Sequence, residues 1–228
     1  MERHIKIRRI VAVVVAVVGF SAVLLQHPDL RQQTVVVSND SVGEAADVLD
    51  ALAVKGRAPK TDYSRSQFGN GWAIERGCNT RDVILYRDLK DAAINGECKV
   101  MSGTLNDPYT GKEIIFQRGA GASDDVQIDH VVALSDAWQK GAQQLTAGER
   151  EQLANDPLEL LAVDGPANQQ KSDGDAATWL PANKSFRCQY VARQIAIKQK
   201  YSLWITQAEK ESMVRVLSAC PGQQLPSS

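Results

Sequence analysis

The sequence predicts an α+β domain, and three observations carry the prediction. Apolar, strand-like runs occur at residues 128–134 and 158–163, and a further pair at 99–105 and 112–117 is separated by Asn106-Asp107-Pro108-Tyr109-Thr110-Gly111, a hairpin signal with turn chemistry in its middle. Val83, Ile84, Leu85, Leu89 and Ala93 follow helical spacing over residues 80–94, and residues 185–200 are amphipathic. Two capping boxes, Thr146-Ala147-Gly148-Glu149 and Thr206-Gln207-Ala208-Glu209, open helices that run to residues 154 and 217.

In chain order, the first nine residues carry Arg3, Lys6, Arg8 and Arg9 against the single acid Glu2, and an apolar run over residues 10–25 follows, interrupted only by Gly19 and Ser21. That is a positive n-region and a long h-region. The run is slightly short for a membrane span, which needs about 17 to 25 residues. Gln26-His27-Pro28 offers no small-x-small cleavage site, so residues 1–27 read as a signal peptide or as an uncleaved membrane tether, and both lead to export. Residues 28–61 read as a linker, with a short helix at 44–54 broken by Gly56-Arg57-Ala58-Pro59. The compact domain is expected over 62–220, enough for one real core, and 221–228 form a tail. Tyr63, Phe68 and Trp72 bring aromatics to a loop-rich entrance, read as packing residues. Residues 135–144 are expected to be helical, so an insertion separates the strands at 128–134 and 158–163.

Four cysteines contain no Cys-x-x-Cys pair, which argues against a zinc or redox motif. Pairing in sequence order, Cys78–Cys98 and Cys188–Cys220, closes two local loops; a loop of about twenty residues contributes on the order of 3 kcal/mol. Such bridges suit an exported protein. The chain has 26 basic and 27 acidic side chains, and without residues 1–27 it retains 22 and 26, four net negative. This excludes a generally cationic, DNA-coating protein and leaves room only for a local positive groove.

Of three histidines, His4 and His27 lie in or beside the targeting segment, which leaves His130 for the domain. Asp129 and His130 stand side by side in the run 128–134. Neighbours on a flat strand face opposite ways, so they can converge only at a strand end or a bulge. Asp129 offers a hard oxygen to a divalent cation, and His130 is suited to take a proton from water near neutral pH; the bland alternative is a solvated strand end beside a satisfied, half-buried imidazole.

Downstream come Asn155-Asp156-Pro157-Leu158-Glu159-Leu160-Leu161-Ala162-Val163, then Asn168-Gln169-Gln170-Lys171, then Trp179-Leu180-Pro181. A strand with Asp-His, a second apolar strand, Asn-x-x-Lys opening a helix, and Trp-x-Pro: this order resembles the HNH nucleases. The chain is most similar to secreted bacterial HNH family proteins whose domain is also called DUF1524, akin to the GmrSD C-terminal domain, and the likeness runs from about residue 63 to 217. The resemblance implies a ββα-metal (HNH, His-Me finger) core with flanking helices and a small hairpin, and a secreted hydrolase, an endonuclease, acting on DNA or RNA with no protein partner evident. It implies His130 as general base, and Asp129 and Asn168 as ligands of one divalent ion, Mg²⁺ first, with Mn²⁺ or Zn²⁺ as alternatives. Lys171, Arg81 and Arg87 could reach phosphates, or stand as solvated surface cations.

One departure stands out. The family pattern places an Asn before the Leu of the second strand, to position the base, where this chain has Glu159-Leu160. Glu159 orients His130, or Asn155 takes that role, or the site is impaired. Two other readings therefore accompany the nuclease: a non-catalytic surface domain on the same scaffold, and a metal-dependent hydrolase of small phosphoesters. A serine or cysteine hydrolase finds no Gly-x-Ser-x-Gly motif in its support.

Overall fold

The computed structural model describes residues 44–119 and 122–226. The expected targeting segment, with its membrane tether, and the first part of the expected linker lie outside the described residues. Among the described residues no helix is long and apolar enough to cross a membrane.

The protein is α+β. Helix α1 (Ala45–Ala51) buries Ala45 and Leu49 in the main core. A two-residue hairpin, β1 (Ile74–Glu75) and β2 (Cys78–Asn79), turns through Arg76 and Gly77, both at positive φ, as tight hairpin turns require. Asn79 then caps α2 (Thr80–Asp88) by accepting from the Arg81 N–H at 2.8 Å. The helix expected over 80–94 stops at Asp88: Leu89 to Ile94 form β3 instead (Leu89–Ile94), because Leu89 and Lys90 pair with Leu105 and Thr104, and Asp91 takes a positive φ beside an irregularity in the register. Strand pairing overrides a helical spacing of apolar residues here.

Strands β4 (Val100–Asn106) and β5 (Glu113–Gln117) form the expected hairpin and complete an antiparallel sheet of order β3-β4-β5. Its turn is closed by Asp107, whose Oδ2 accepts from the Thr110 N–H at 2.6 Å, and whose Oδ1 accepts from the Asp164 N–H at 2.8 Å. The hairpin turn is thereby tied to the site.

A short turn α3 (Ala122–Asp125) leads into β6 (Val126–His130). The run expected as strand to residue 134 ends at His130, and Leu134 already begins α4 (Leu134–Gln139). A 3-10 turn over Ala142–Gln144 continues the expected helix, and α5 (Ala147–Asn155) starts on the expected capping box of Thr146 and Glu149. Strand β7 (Leu160–Asp164) pairs antiparallel with β6, from Val126 opposite Asp164 to His130 opposite Leu160. It passes directly into α6 (Gly165–Lys171), capped by Asp164, which accepts from the Ala167 N–H at 2.8 Å. Gly165 is required: a Cβ there would collide with the Asp124 carbonyl oxygen. Helices α7 (Arg187–Lys200) and α8 (Gln207–Leu217, on the second capping box) complete the domain, and both expected disulfides are present.

The β6/β7 pair separates two cores. Val126, Ile128, Leu160 and Ala162 face the meander sheet and α2, while Leu161 and Val163 join the helices. The stretch from residue 44 to 61, expected as linker, folds onto this domain. Ala45 N–H donates to Gln223 at 2.8 Å, Lys55 N–H to Ile205 at 2.9 Å, and Ala58 N–H to Gln139 at 2.8 Å. Backbone hydrogen bonds, the buried Ala45 and Leu49, and the Arg57 side chain do here what aromatics do elsewhere.

Behind the site lies a buried ion cluster. Lys140 reaches Asp136 at 2.8 Å, Asp175 at 2.7 Å and Glu209 at 2.6 Å; Lys198 reaches Glu209 at 3.0 Å. Arg57, from the 44–61 stretch, closes it from outside on Asp136 at 2.9 Å and Asp175 at 2.8 Å. Three cations face three carboxylates, as deep burial of charge demands.

Candidate active site

A cleft of about 510 Å³ opens at the end of β6, and Asp129, His130 and Asn168 all line it. The alternation of the strand is intact, and its end is where two neighbours on opposite faces share one space.

His130 is buried, its ring stacked on Trp72 with centroids 5.6 Å apart and planes 5° from parallel. Nε2 lies 3.0 Å from the carbonyl oxygen of Ala154, in the last turn of α5, where carbonyls lack helical partners. A carbonyl can only accept, so Nε2 carries the proton and Nδ1 is the basic nitrogen. Burial, with Arg65 and more weakly Lys171, outweighs that carbonyl and pushes the imidazole down to about 3. The ring is therefore neutral at physiological pH, and, held so low in the free protein, it is a weaker base than the near-neutral group that base catalysis favours.

Both oxygens of Asp129 are engaged. Lys171 donates to Oδ1 at 2.8 Å and to the His130 carbonyl oxygen at 2.8 Å, and the Tyr109 hydroxyl donates to Oδ2. Burial raises the carboxyl's pKa, and the Lys171 ammonium and the two hydrogen bonds oppose it. Edge contacts with Trp179 (4.9 Å) and Tyr190 (5.6 Å) hold Tyr109 beneath the strand. Asn168 donates from Nδ2 to Gln127 Oε1 at 2.8 Å, which leaves its Oδ1 as an acceptor.

The other expected site residues are placed elsewhere. Lys171 is fully buried in its ion pair. Glu159 is buried and accepts the Val132 N–H on both oxygens at 3.2 Å, so it pins the chain just past β6, and burial carries its carboxyl well above the usual carboxylate range. Asn155 accepts the Ala73 N–H at 2.8 Å and donates to the Glu151 carbonyl at 3.0 Å, anchoring the Trp72 loop. Among the described residues, neither hydrogen-bonds the His130 ring. Arg87 donates to the carbonyls of Pro157 and Leu160, both at 2.7 Å, and braces β7.

Arg81 does line the cleft, and so does Arg65, which the sequence reading passed over. Arg65 sits on a 3-10 turn (Arg65–Phe68) whose Phe68 is a core anchor. The signal available was the spacing Tyr63-x-Arg65-x-x-Phe68, a basic residue between two packing aromatics. Neither arginine forms an ion pair among the described residues, whereas Asp129 is neutralised by Lys171 and Asp173 is met by Lys60 at 3.2 Å. Burial, then Arg118, lowers the pKa of Arg81, as befits a cation without a partner.

Among the described residues, no three of His, Cys, Asp and Glu form a cluster able to hold a metal. Asp129 and Asn168 nevertheless both line one cleft; a carboxylate and an amide carbonyl are donors of the kind a hard ion that keeps most of its water takes, through the lone pairs that Lys171 and Tyr109 leave on Asp129. Mg²⁺ or Mn²⁺ suits such donors better than Zn²⁺, which seeks nitrogen and sulfur.

The family model described as "GmrSD restriction endonucleases, C-terminal domain" matches residues 79–216. The chain is 36% identical over 182 residues to an "uncharacterized secreted protein" of Arthroderma benhamiae, covering 79% of this chain and 86% of that relative. No solved structure matches significantly.

Proposed function

The chain belongs to the family of GmrSD restriction endonuclease C-terminal domains, and from that premise we propose that it is a secreted endonuclease that hydrolyses phosphodiesters of DNA or RNA. Its β6, β7 and α6 act as a ββα-metal core. The observation that carries this reading is the meeting, in one cleft, of a neutral imidazole with a basic Nδ1 and two arginines without carboxylate partners. The two disulfides and the secreted relative support export.

His130 Nδ1 takes a proton from water as the water oxygen bonds to phosphorus. The bond to the leaving sugar oxygen breaks, and that oxygen takes a proton from solvent. Arg65 and Arg81 draw the phosphate in and meet the charge that grows on its oxygens. A hard divalent ion on Asp129 and Asn168 would add Lewis-acid polarisation of a non-bridging oxygen. Lys171 and Tyr109 hold the Asp129 carboxylate in place, while the Ala154 carbonyl and Trp72 hold the imidazole.

Incubating the oxidised protein with plasmid DNA and with RNA, in Mg²⁺, Mn²⁺ or chelator, tests the proposal. Cleavage that needs metal and disappears in His130→Ala is expected. If neither polymer is cut under any condition, the nuclease reading fails and the scaffold reading replaces it.

A further inference from the structure

A second, smaller cavity of about 130 Å³ adjoins the cleft and shares Arg65, His130 and Leu134 with it. Its remaining lining residues are Phe68, Gly69, Gly71, Trp72 and Ala154. The catalytic steps above make no use of this space.

We propose that this cavity receives one pyrimidine-sized base of a single-stranded nucleic acid, while Arg65 holds the phosphate next to it. The proposal rests on the nuclease reading and adds the substrate's strandedness and base class.

Three properties support it. The first is size: an enclosed apolar cavity of about 150 Å³ takes up one benzene ring, so 130 Å³ has room for a single ring, and a fused pair would have to extend into the adjoining cleft. The second is the lining. Aromatic and aliphatic side chains supply about half of the wall, and Arg65, Trp72 and His130 are the only lining side chains with polar atoms. Such a site grips the face of a base and reads little of its edge, the mode in which single strands are bound by stacking. The third is position. Arg65 borders both compartments and has no ion pair among the described residues, so a phosphate at Arg65 puts its own base at the small cavity and its ester bond at His130. A base within a duplex reaches such a cavity only by leaving its stack, at a cost of a few kcal/mol; an unpaired strand enters without that cost.

The test uses the full, oxidised chain with Mg²⁺. Single-stranded oligo-dT and oligo-dA, and their duplex, are cleaved side by side, with oligo-rU and oligo-rA as the ribose pair. At least a tenfold faster cut of the pyrimidine strand is expected, with the duplex slower than free oligo-dT by a similar factor. Ala154→Ile, which adds bulk at a residue lining the cavity, should lower the dT-to-dA ratio below twofold; a ratio does not depend on how much of the variant is folded. In chelator, thymidine 5′-phosphate should perturb tryptophan fluorescence at concentrations at least tenfold below those needed for deoxyadenosine 5′-phosphate. Equal rates on the two strands, a duplex cut as fast as the single strand, or equal titration by both nucleotides would overturn the assignment. If no polymer is cut at all, the nuclease reading falls, and the mononucleotide titration alone decides the cavity.

Discussion

The segment from Asp129 to Lys140 carries a buried charge cluster at each end, and the two are built on opposite plans. At the rear, Lys140, Lys198 and Arg57 match Asp136, Asp175 and Glu209 one for one. At the front, Lys171 alone cancels Asp129, and two further arginines face the cleft without partners. A balanced cluster asks nothing of a ligand and can only hold elements together. A cluster with surplus cations at its mouth is completed by an anion from outside, which lets a protein of negative overall charge take up phosphate.

The largest expected effect separates chemistry from stability. His130→Ala should lower cleavage by about 10²- to 10⁴-fold, the usual contribution of a general base, with a thermal midpoint much closer to the parent's than that of any rear-cluster variant. Lys140→Met should do the reverse, since removing one partner of a buried ion pair costs about 3–5 kcal/mol; the cooperative melt should fall sharply while turnover at a temperature where the variant is folded stays near the parent's. Loss of turnover in folded Lys140→Met would show that the clusters are coupled, and the comparison would break.

The third prediction separates the clusters by acid. Burial alone would raise Asp175, but Lys140 and Arg57 overrule it and hold the carboxyl at about 2. An unfolded aspartate takes its proton near pH 4, so between about pH 4 and pH 2 the unfolded chain binds the extra proton, and roughly 2 kcal/mol of stability is lost as the pH falls through that window. His130 acts in a higher window: the unfolded imidazole protonates near 6.5 and the folded one only near 3, so stability declines as the pH drops below about 6.5. Urea midpoints measured from pH 7 to pH 2 should show both declines, and His130→Ala should abolish only the upper one.

The smallest effect concerns salt. Arg65→Ala or Arg81→Ala should each reduce the slope of log affinity against log salt by about 0.7 to 1, whereas Arg87→Ala, a brace outside the cleft, should leave the slope unchanged. A change of slope in Arg87→Ala would place that side chain on the substrate after all.

These outcomes bear on how far the sequence could be read. That Asp129, His130 and Asn168 share one cleft was legible, because a strand end and the first turns of the following helix keep short, local spacings. The capping boxes at Thr146 and Thr206 were legible for the same reason. Arg65 was not, since it reaches the site across sixty-five residues through the packing of Phe68, and the spacing Tyr63-x-Arg65-x-x-Phe68 marks a basic residue between aromatics without saying what it faces. Lys171 shows the converse: one turn after Asn168 it reads as a phosphate contact or a surface lysine, and only the position of Asp129 on a neighbouring strand makes it a buried partner. Residues 80–94 obey a helical period that pairing with β4 overrides at Leu89. The 44–61 stretch looked like a linker because much of its attachment runs through backbone atoms, which have no sequence signature, and because the partners of Arg57 lie about eighty and a hundred and twenty residues away.

The hydrogen bond from the His130 ring to the Ala154 carbonyl has a consequence for how this protein varies over time. Where a side chain orients an imidazole, a single codon change can erase the arrangement. Here the acceptor is a main-chain atom at a helix end, and every residue that could replace Ala154 brings the same oxygen with it. The placement of the proton on His130 is thus shielded from most substitutions nearby, and Glu159 can occupy the position where the family pattern has an asparagine without taking the tautomer with it. Drift around the site is free to alter what is bound, while the basic nitrogen stays where it is.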